Sequence, residues 1–159
     1  MSDVVNVDSD LLTWPNGELV DVESIEGYAE DARIVATSPL EDGVIRTPDW
    51  VMGELANVSR HAARMVLVIH QAEAFKRRAA TELERARARA RVEHAGMPPA
   101  QQTARIVLAV LEEKRAYDDA VVAFEYARRI GNLLSDYTGR VQSIGKQVEL
   151  VYRDAGRGL

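Results

Sequence analysis

Seven basic side chains, Lys76, Arg77, Arg78, Arg85, Arg87, Arg89 and Arg91, fall within sixteen residues that hold only Glu82 and Glu84 against them. Guanidinium and ammonium groups at this density neutralise phosphates and release their counterions, a contribution that does not depend on base sequence. Single-strand binding usually adds aromatic platforms for stacking. Here only Phe75 lies beside the run. The chemistry predicted is electrostatic capture of a nucleic-acid backbone with little choice of base. Arg128, Arg129 and Arg140 can extend the patch, depending on how the helices register. A second reading competes with this one: arginine is a strong helix former, and a solvated helix face rich in it needs no ligand.

Other constellations are thinner. The three histidines are His61, His70 and His94, and His70 and Glu73 stand one helical turn apart. That is half of a helical di-metal motif, which needs matching carboxylates from other helices. Glu112, Glu113, Asp118 and Asp119 form a dense acidic cluster, flanking Lys114 and Arg115, that reads as a solvated face. There is no Gly-rich phosphate loop and no nucleophile elbow. No catalytic residue, metal site or cofactor is expected, and the chain is read as a non-enzyme. Cysteine is absent, so disulfides and thiolate metal sites are excluded.

The elements that must carry these residues are helices. Thr47 can cap a helix start and Pro48 suits the first helical position. From there Val51, Leu55, Val58, Ala62, Met65, Ile69, Ala72, Ala79, Leu83, Ala86 and Ala90 recur in steps of four and three, interrupted only at Lys76. Such spacing draws one narrow apolar seam along a helix that packs lengthwise against another. The helix is expected to run from Thr47 to Glu93, roughly 70 Å at 1.5 Å per residue. Ala95-Gly96-Met97-Pro98-Pro99 ends it.

A second helical run is expected from near Ala100 to Ala155, antiparallel to the first across the turn at 95–99. Its seam includes Ile130, Leu134, Tyr137, Val141, Ile144 and Val148, and Val110, Tyr117, Phe124 and Leu133 widen it. Gly131, Gly139 and Gly145 each cost about 1 kcal/mol of helix propensity relative to Ala, so a break near Gly131 or Gly139 is expected. The fold class is thus all-α: a long antiparallel helical hairpin, coiled-coil-like, over 47–159, preceded by a small acidic region over 1–46. A wide stripe needs more cover than one helix gives. Self-association, as a ring or a two-fold dimer, is the economical solution. Docking of the amino-terminal third is the alternative.

That third is chemically distinct. Residues 1–50 carry twelve acidic and two basic side chains, net −10, whereas 51–159 carry eighteen basic and thirteen acidic, net +5. Pro15-Asn16-Gly17 between two short apolar runs predicts a small hairpin. Ile25, Tyr28, Ala29, Ala32 and Val35 predict a short amphipathic helix over about Val22 to Ala36, ended by Ser38-Pro39, with a further turn at Asp42-Gly43. Met1 to Asp10 is polar and acidic. No apolar run approaches the ~20 residues needed to span a bilayer, and residues 1–20 lack a signal-peptide pattern. A cytoplasmic location is expected.

The order of features over about residues 55–150 resembles the UvsY family of phage recombination mediators. Glu73-Ala74-Phe75-Lys76-Arg77-Arg78 is similar to that family's Glu-Ala-x-Lys-Lys stretch, a Gly/Pro turn follows, and then Val110-Leu111-Glu112-Glu113-Lys114. Val141-Gln142-Ser143-Ile144-Gly145-Lys146 stands where the family has a small-residue, Ile, Lys, Ser, Gly segment. The resemblance implies a ring-forming homo-oligomer that binds single-stranded DNA. It would help a RecA-type recombinase displace the single-strand-binding protein, acting in the host cytosol if phage-encoded. By this analogy the DNA contacts are Lys76, Arg77, Arg78, Arg85, Arg87, Arg89 and Arg91. The acidic third has no counterpart in the family. Residue chemistry alone supports a second expectation, a coiled-coil interaction protein whose acidic third contacts a host protein.

Overall fold

The computed structural model describes residues 11–38, 40 and 45–157. The architecture is all-α, with four helices among the described residues: α1 (Val22–Ala36), α2 (Pro48–Glu93), α3 (Pro99–Ala109) and α4 (Leu111–Arg157). Each start has a local cause. Asp21 and Ser24 cap α1 reciprocally, the Ser24 N–H donating to Asp21 Oδ1 at 2.7 Å and the Asp21 N–H to Ser24 Oγ at 3.1 Å. The Trp50 N–H donates to Thr47 Oγ1 at 3.2 Å at the head of α2. Gly96, at φ +90°, turns the chain after α2. Pro99 then opens α3 at the first helical position, where proline suits a start as well as a stop. The expectations for Pro39, Asp42-Gly43 and Met1 to Asp10 lie outside the described residues.

The chain divides into two compact units, Met1–Ile25 with His70–Glu125, and Glu26–Ile69 with Tyr126–Leu159. In the first unit, Thr13 and Leu19 form an isolated antiparallel bridge across the Pro15-Asn16-Gly17 turn. Only Gly17 takes positive φ there, +86°. Trp14 is buried, and its Nε1–H donates to Ser24 Oγ at 3.0 Å. Gln71 of α2 holds this turn through a 3.3 Å bond from Nε2 to the Thr13 carbonyl. Leu83, Ala86 and Ala90 of α2 bury against Val110, with Ile106 and Tyr117 packed on the cluster.

In the second unit, α1 lies on α2 and α4 and gives up its small apolar face: Ala29, Ala32 and Ala36 are all buried. Arg64 of α2 faces Asp31 at 3.7 Å and stacks over the Tyr28 ring at 4.4 Å. Tyr126 of α4 donates to Glu30 Oε2 at 2.8 Å, and Arg140 reaches the Ala36 carbonyl at 3.4 Å. Docking of the amino-terminal helix therefore covers part of the wide stripe within the chain itself. Tyr137, Leu134, Val141 and Val58 fill the interior here. Gly131 meets Ile69 and Gly145 meets Val51, so α4 runs opposite to α2 in this unit.

The second helical run departs from expectation in its break. It is interrupted at Val110 (φ −113°, ψ 18°), where α3 ends, and α4 passes through Gly131 and Gly139 without interruption. Gly131 is accommodated by close packing, since a Cβ there would stand 2.9 Å from Ile69 Cδ1. Val110 is only 6% exposed. The kink carries no Gly or Pro signal and accompanies burial of this side chain against α2.

Candidate nucleic-acid interface

The basic run lies on α2 inside the first unit, as one continuous helix without Gly or Pro. Steps of seven and four put Arg78, Arg85 and Arg89 on one flank. Steps of seven put Arg77, Glu84 and Arg91 on the other. Arg77, Arg85, Arg89 and Arg91 are exposed, while Arg78 and Arg87 are half-buried.

Lys76 differs from the rest. It interrupts the apolar seam, and its Nζ stands 3.7 Å from the centre of the Phe124 ring. The charged head is accommodated in the packing by the electron-rich aromatic face. Lys76 thus acts first as a packing residue, and the arginines form the outward surface.

Three arginines are engaged along their own helix. Arg77 bonds Glu73 at 2.6 Å, Arg85 bonds Glu82 at 2.8 Å, and Arg87 bonds Glu84 at 2.5 Å. Exposed pairs of this i,i+3 and i,i+4 kind contribute only ~0.3–0.5 kcal/mol each, so a phosphate can displace the carboxylate. Arg89 and Arg91 have no carboxylate partner among the described residues. They are the two cations most available to a ligand. Phe75 is half-buried.

Arg128, Arg129 and Arg140 are carried by α4 in the second unit, and Arg140 is committed there to Ala36 and to the Tyr137 ring at 5.3 Å. The packing residues Ile130, Leu134, Tyr137 and Val141 are buried inside the second unit, and Ile144 and Val148 are half-buried. The first four are consumed within the chain and leave no surface for a second copy. Among the described residues no group of three His, Asp or Glu side chains gathers as a metal site, and no helix is long and apolar enough to cross a membrane.

No family model, curated protein or solved structure matches this chain. Its function is therefore read from its own residues.

The structure adds two features that the sequence pattern did not single out. Glu30 joins Arg33, at 2.5–2.7 Å, and Tyr126, and the Arg33 hydrogen bond followed by that of Tyr126 lowers its carboxyl to about 2. The second is an apolar groove in the second unit, between the start of α2 and the tail of α4, with Met52 and Tyr152 on its rim. A usable signal existed for the groove. Met52, Ser59 and Val66, in steps of seven, form an uncharged flank of α2 beside the seam residues Leu55 and Ala62.

Proposed function

We propose that this chain is a non-catalytic helical protein that binds single-stranded DNA along the arginine-rich half of α2. In this reading it acts as a recombination mediator, helping a RecA-type recombinase replace the single-strand-binding protein. The observation that carries the reading is the state of the arginines. Arg89 and Arg91 are exposed without a carboxylate partner among the described residues, and Arg77, Arg85 and Arg87 are paired with Glu73, Glu82 and Glu84 of their own helix, the first two half-buried and the third exposed. A polyanion gains these contacts at the cost of weak surface pairs. With one aromatic beside the run, affinity rests on charge and shows little base preference.

The test is binding of a labelled single-stranded oligonucleotide across a salt series, with the mass of the protein measured on the same sample. Binding that weakens steeply with salt supports the reading. A folded protein that binds nothing at low salt overturns it.

A second reading is kept for one observation. On α1, Glu23, Glu26 and Ile34 remain exposed although the opposite face is buried, and Ile34 is 56% exposed. An acidic face with one apolar residue suits contact with a basic protein partner. Deleting residues 1–46 would not test this, because it would strip Ile25, Ala29, Ala32 and Ala36 from the interior. Glu23→Lys with Glu26→Lys reverses the face while leaving the buried side intact. Loss of function in that variant, with DNA binding retained, favours the second reading.

A further inference from the structure

The basic run of α2 has few aromatics of its own, and α4 brings one to it within the first unit. Tyr117 packs on the cluster of Leu83, Ala86, Ala90 and Val110, in the middle of the arginine stretch. The Lys76–Phe124 contact fixes the edge on which this happens. From Lys76, steps of four and seven along α2 lead to Ala80, Arg87 and Arg91. From Phe124, steps of three and four back along α4 lead to Val121, Tyr117 and Lys114. The two helices are antiparallel here, so both rows lie on one edge of the pair. That edge sets an aromatic ring beside Arg87 and Arg91.

The fold leaves this ring partly unused. Tyr117 is anchored in apolar packing yet only half-buried. Its hydroxyl makes no hydrogen bond with any described residue, unlike those of Tyr126 and Tyr137. Lys114 stands over the ring loosely, 5.7 Å from its centre, and is paired with Asp118. Lys76, by contrast, closes on Phe124 at 3.7 Å. The exposed Lys114–Asp118 pair gives way at little cost, which frees the ring for a base and the ammonium for a phosphate. We infer that Tyr117 is a base-stacking contact of this surface, with Arg87, Arg91 and Lys114 holding phosphates around it. Every base has a π-face, so stacking adds affinity without choosing among bases. It does choose between strands, because a duplex keeps its bases inside and offers phosphates alone. Tyr117 thus makes a cationic surface prefer single strands. The inference rests on the reading of the arginine run as a DNA site.

The test titrates the full chain with a labelled oligothymidine and with a duplex of equal length, across a salt series. Tyr117→Leu, which keeps an apolar side chain on the cluster, is expected to weaken single-strand binding about tenfold. Its duplex affinity and its salt slope should stay at the wild-type values. Tyr117→Phe keeps the ring and is expected to bind as the wild type does. Photo-crosslinking of an iodouracil-bearing oligonucleotide to the wild-type protein is expected to place the adduct on Tyr117. Wild-type affinity in Tyr117→Leu, an equal loss on single strand and duplex, a Phe variant as weak as the Leu variant, or adducts confined to other residues overturns the inference. Each of these leaves the arginine surface standing as a DNA site. A wild type that binds no oligonucleotide overturns both readings together.

Discussion

The Lys76 ammonium lies 3.7 Å from the centre of the Phe124 ring, which makes the one break in the α2 seam a contact. A cation over an aromatic face contributes ~0.5–1 kcal/mol when exposed and ~2 kcal/mol when desolvated, and Lys76 is half-buried. Lys76→Ala is therefore expected to lower stability by about 1 kcal/mol in denaturant melts. Phe124→Leu should remove the same coupling, so a double-mutant cycle isolates it. In oligonucleotide titrations Lys76→Ala should leave the salt slope nearly unchanged.

Arg89 and Arg91 should behave in the opposite way. Each is exposed, and neither holds up a neighbour through an ion pair. Replacing either by Ala is expected to leave the melting temperature within experimental error. The slope of log affinity against log salt should fall by about 0.7 per arginine on a single strand. If both variants keep the wild-type slope, the ligand lies on neither flank of the basic run.

The paired arginines give a prediction with a reversed sign. Glu82 and Glu84 hold Arg85 and Arg87 at 2.8 and 2.5 Å. Glu82→Gln and Glu84→Gln remove that competition and should tighten single-strand binding a few-fold at low salt, with the gain vanishing at high salt. Each loses only ~0.3–0.5 kcal/mol of helix pairing. Weakened binding in both variants would mean that the glutamates position the guanidinium groups for the ligand.

How far the sequence reached can be seen helix by helix. Val22–Ala36 and Pro48–Glu93 were legible because their caps are local: Thr47, Pro48 and Gly96 act within a turn of where they stand. The kink at Val110 was not, because Ala109-Val110-Leu111 carries no breaker and the cause is a long-range contact with Leu83, Ala86 and Ala90. Gly131 misled for the same reason. Propensity counts its backbone cost, whereas the packing uses its missing Cβ to admit Ile69. The site was legible as composition only. Spacing showed where the arginines fall on α2, but not that Lys76 turns to Phe124.

Tyr137 is the most thoroughly buried large side chain among those that carry a polar group, 2% exposed, and its hydroxyl donates to Glu54 Oε1 at 2.8 Å. Burial first, then this bond and the Glu54 charge, push the phenol up to about 12. The neutral phenol is the form that the fold favours. Its contribution to stability is therefore complete below pH 10, the usual phenol value, and is lost as pH rises from 10 through 12. Ultraviolet titration should show one tyrosine ionising near the upper limit, and Tyr137→Phe should remove it. The substitution should also cost about 1.5–3 kcal/mol, the range for a hydrogen bond to a charged acceptor.

Glu30 supplies the matching prediction at the acid end. The Arg33 hydrogen bond is the largest cause of its lowered carboxyl, the Tyr126 bond the second, and the value falls to about 2 from an ordinary 4.5. Here the ionised form is favoured in the fold. The stability it brings is complete above pH 4.5 and drains away as pH falls from 4.5 through 2. Tyr126→Phe should raise the Glu30 value but leave it below 4.5, because the guanidinium remains. Arg33→Gln should raise it further. Carbon-detected NMR titration of the Glu30 carboxyl reads both shifts directly. The order of the two variants is the deciding result: a larger rise in Tyr126→Phe than in Arg33→Gln would mean that α4, and not the neighbouring turn of α1, holds this carboxylate in its charged form.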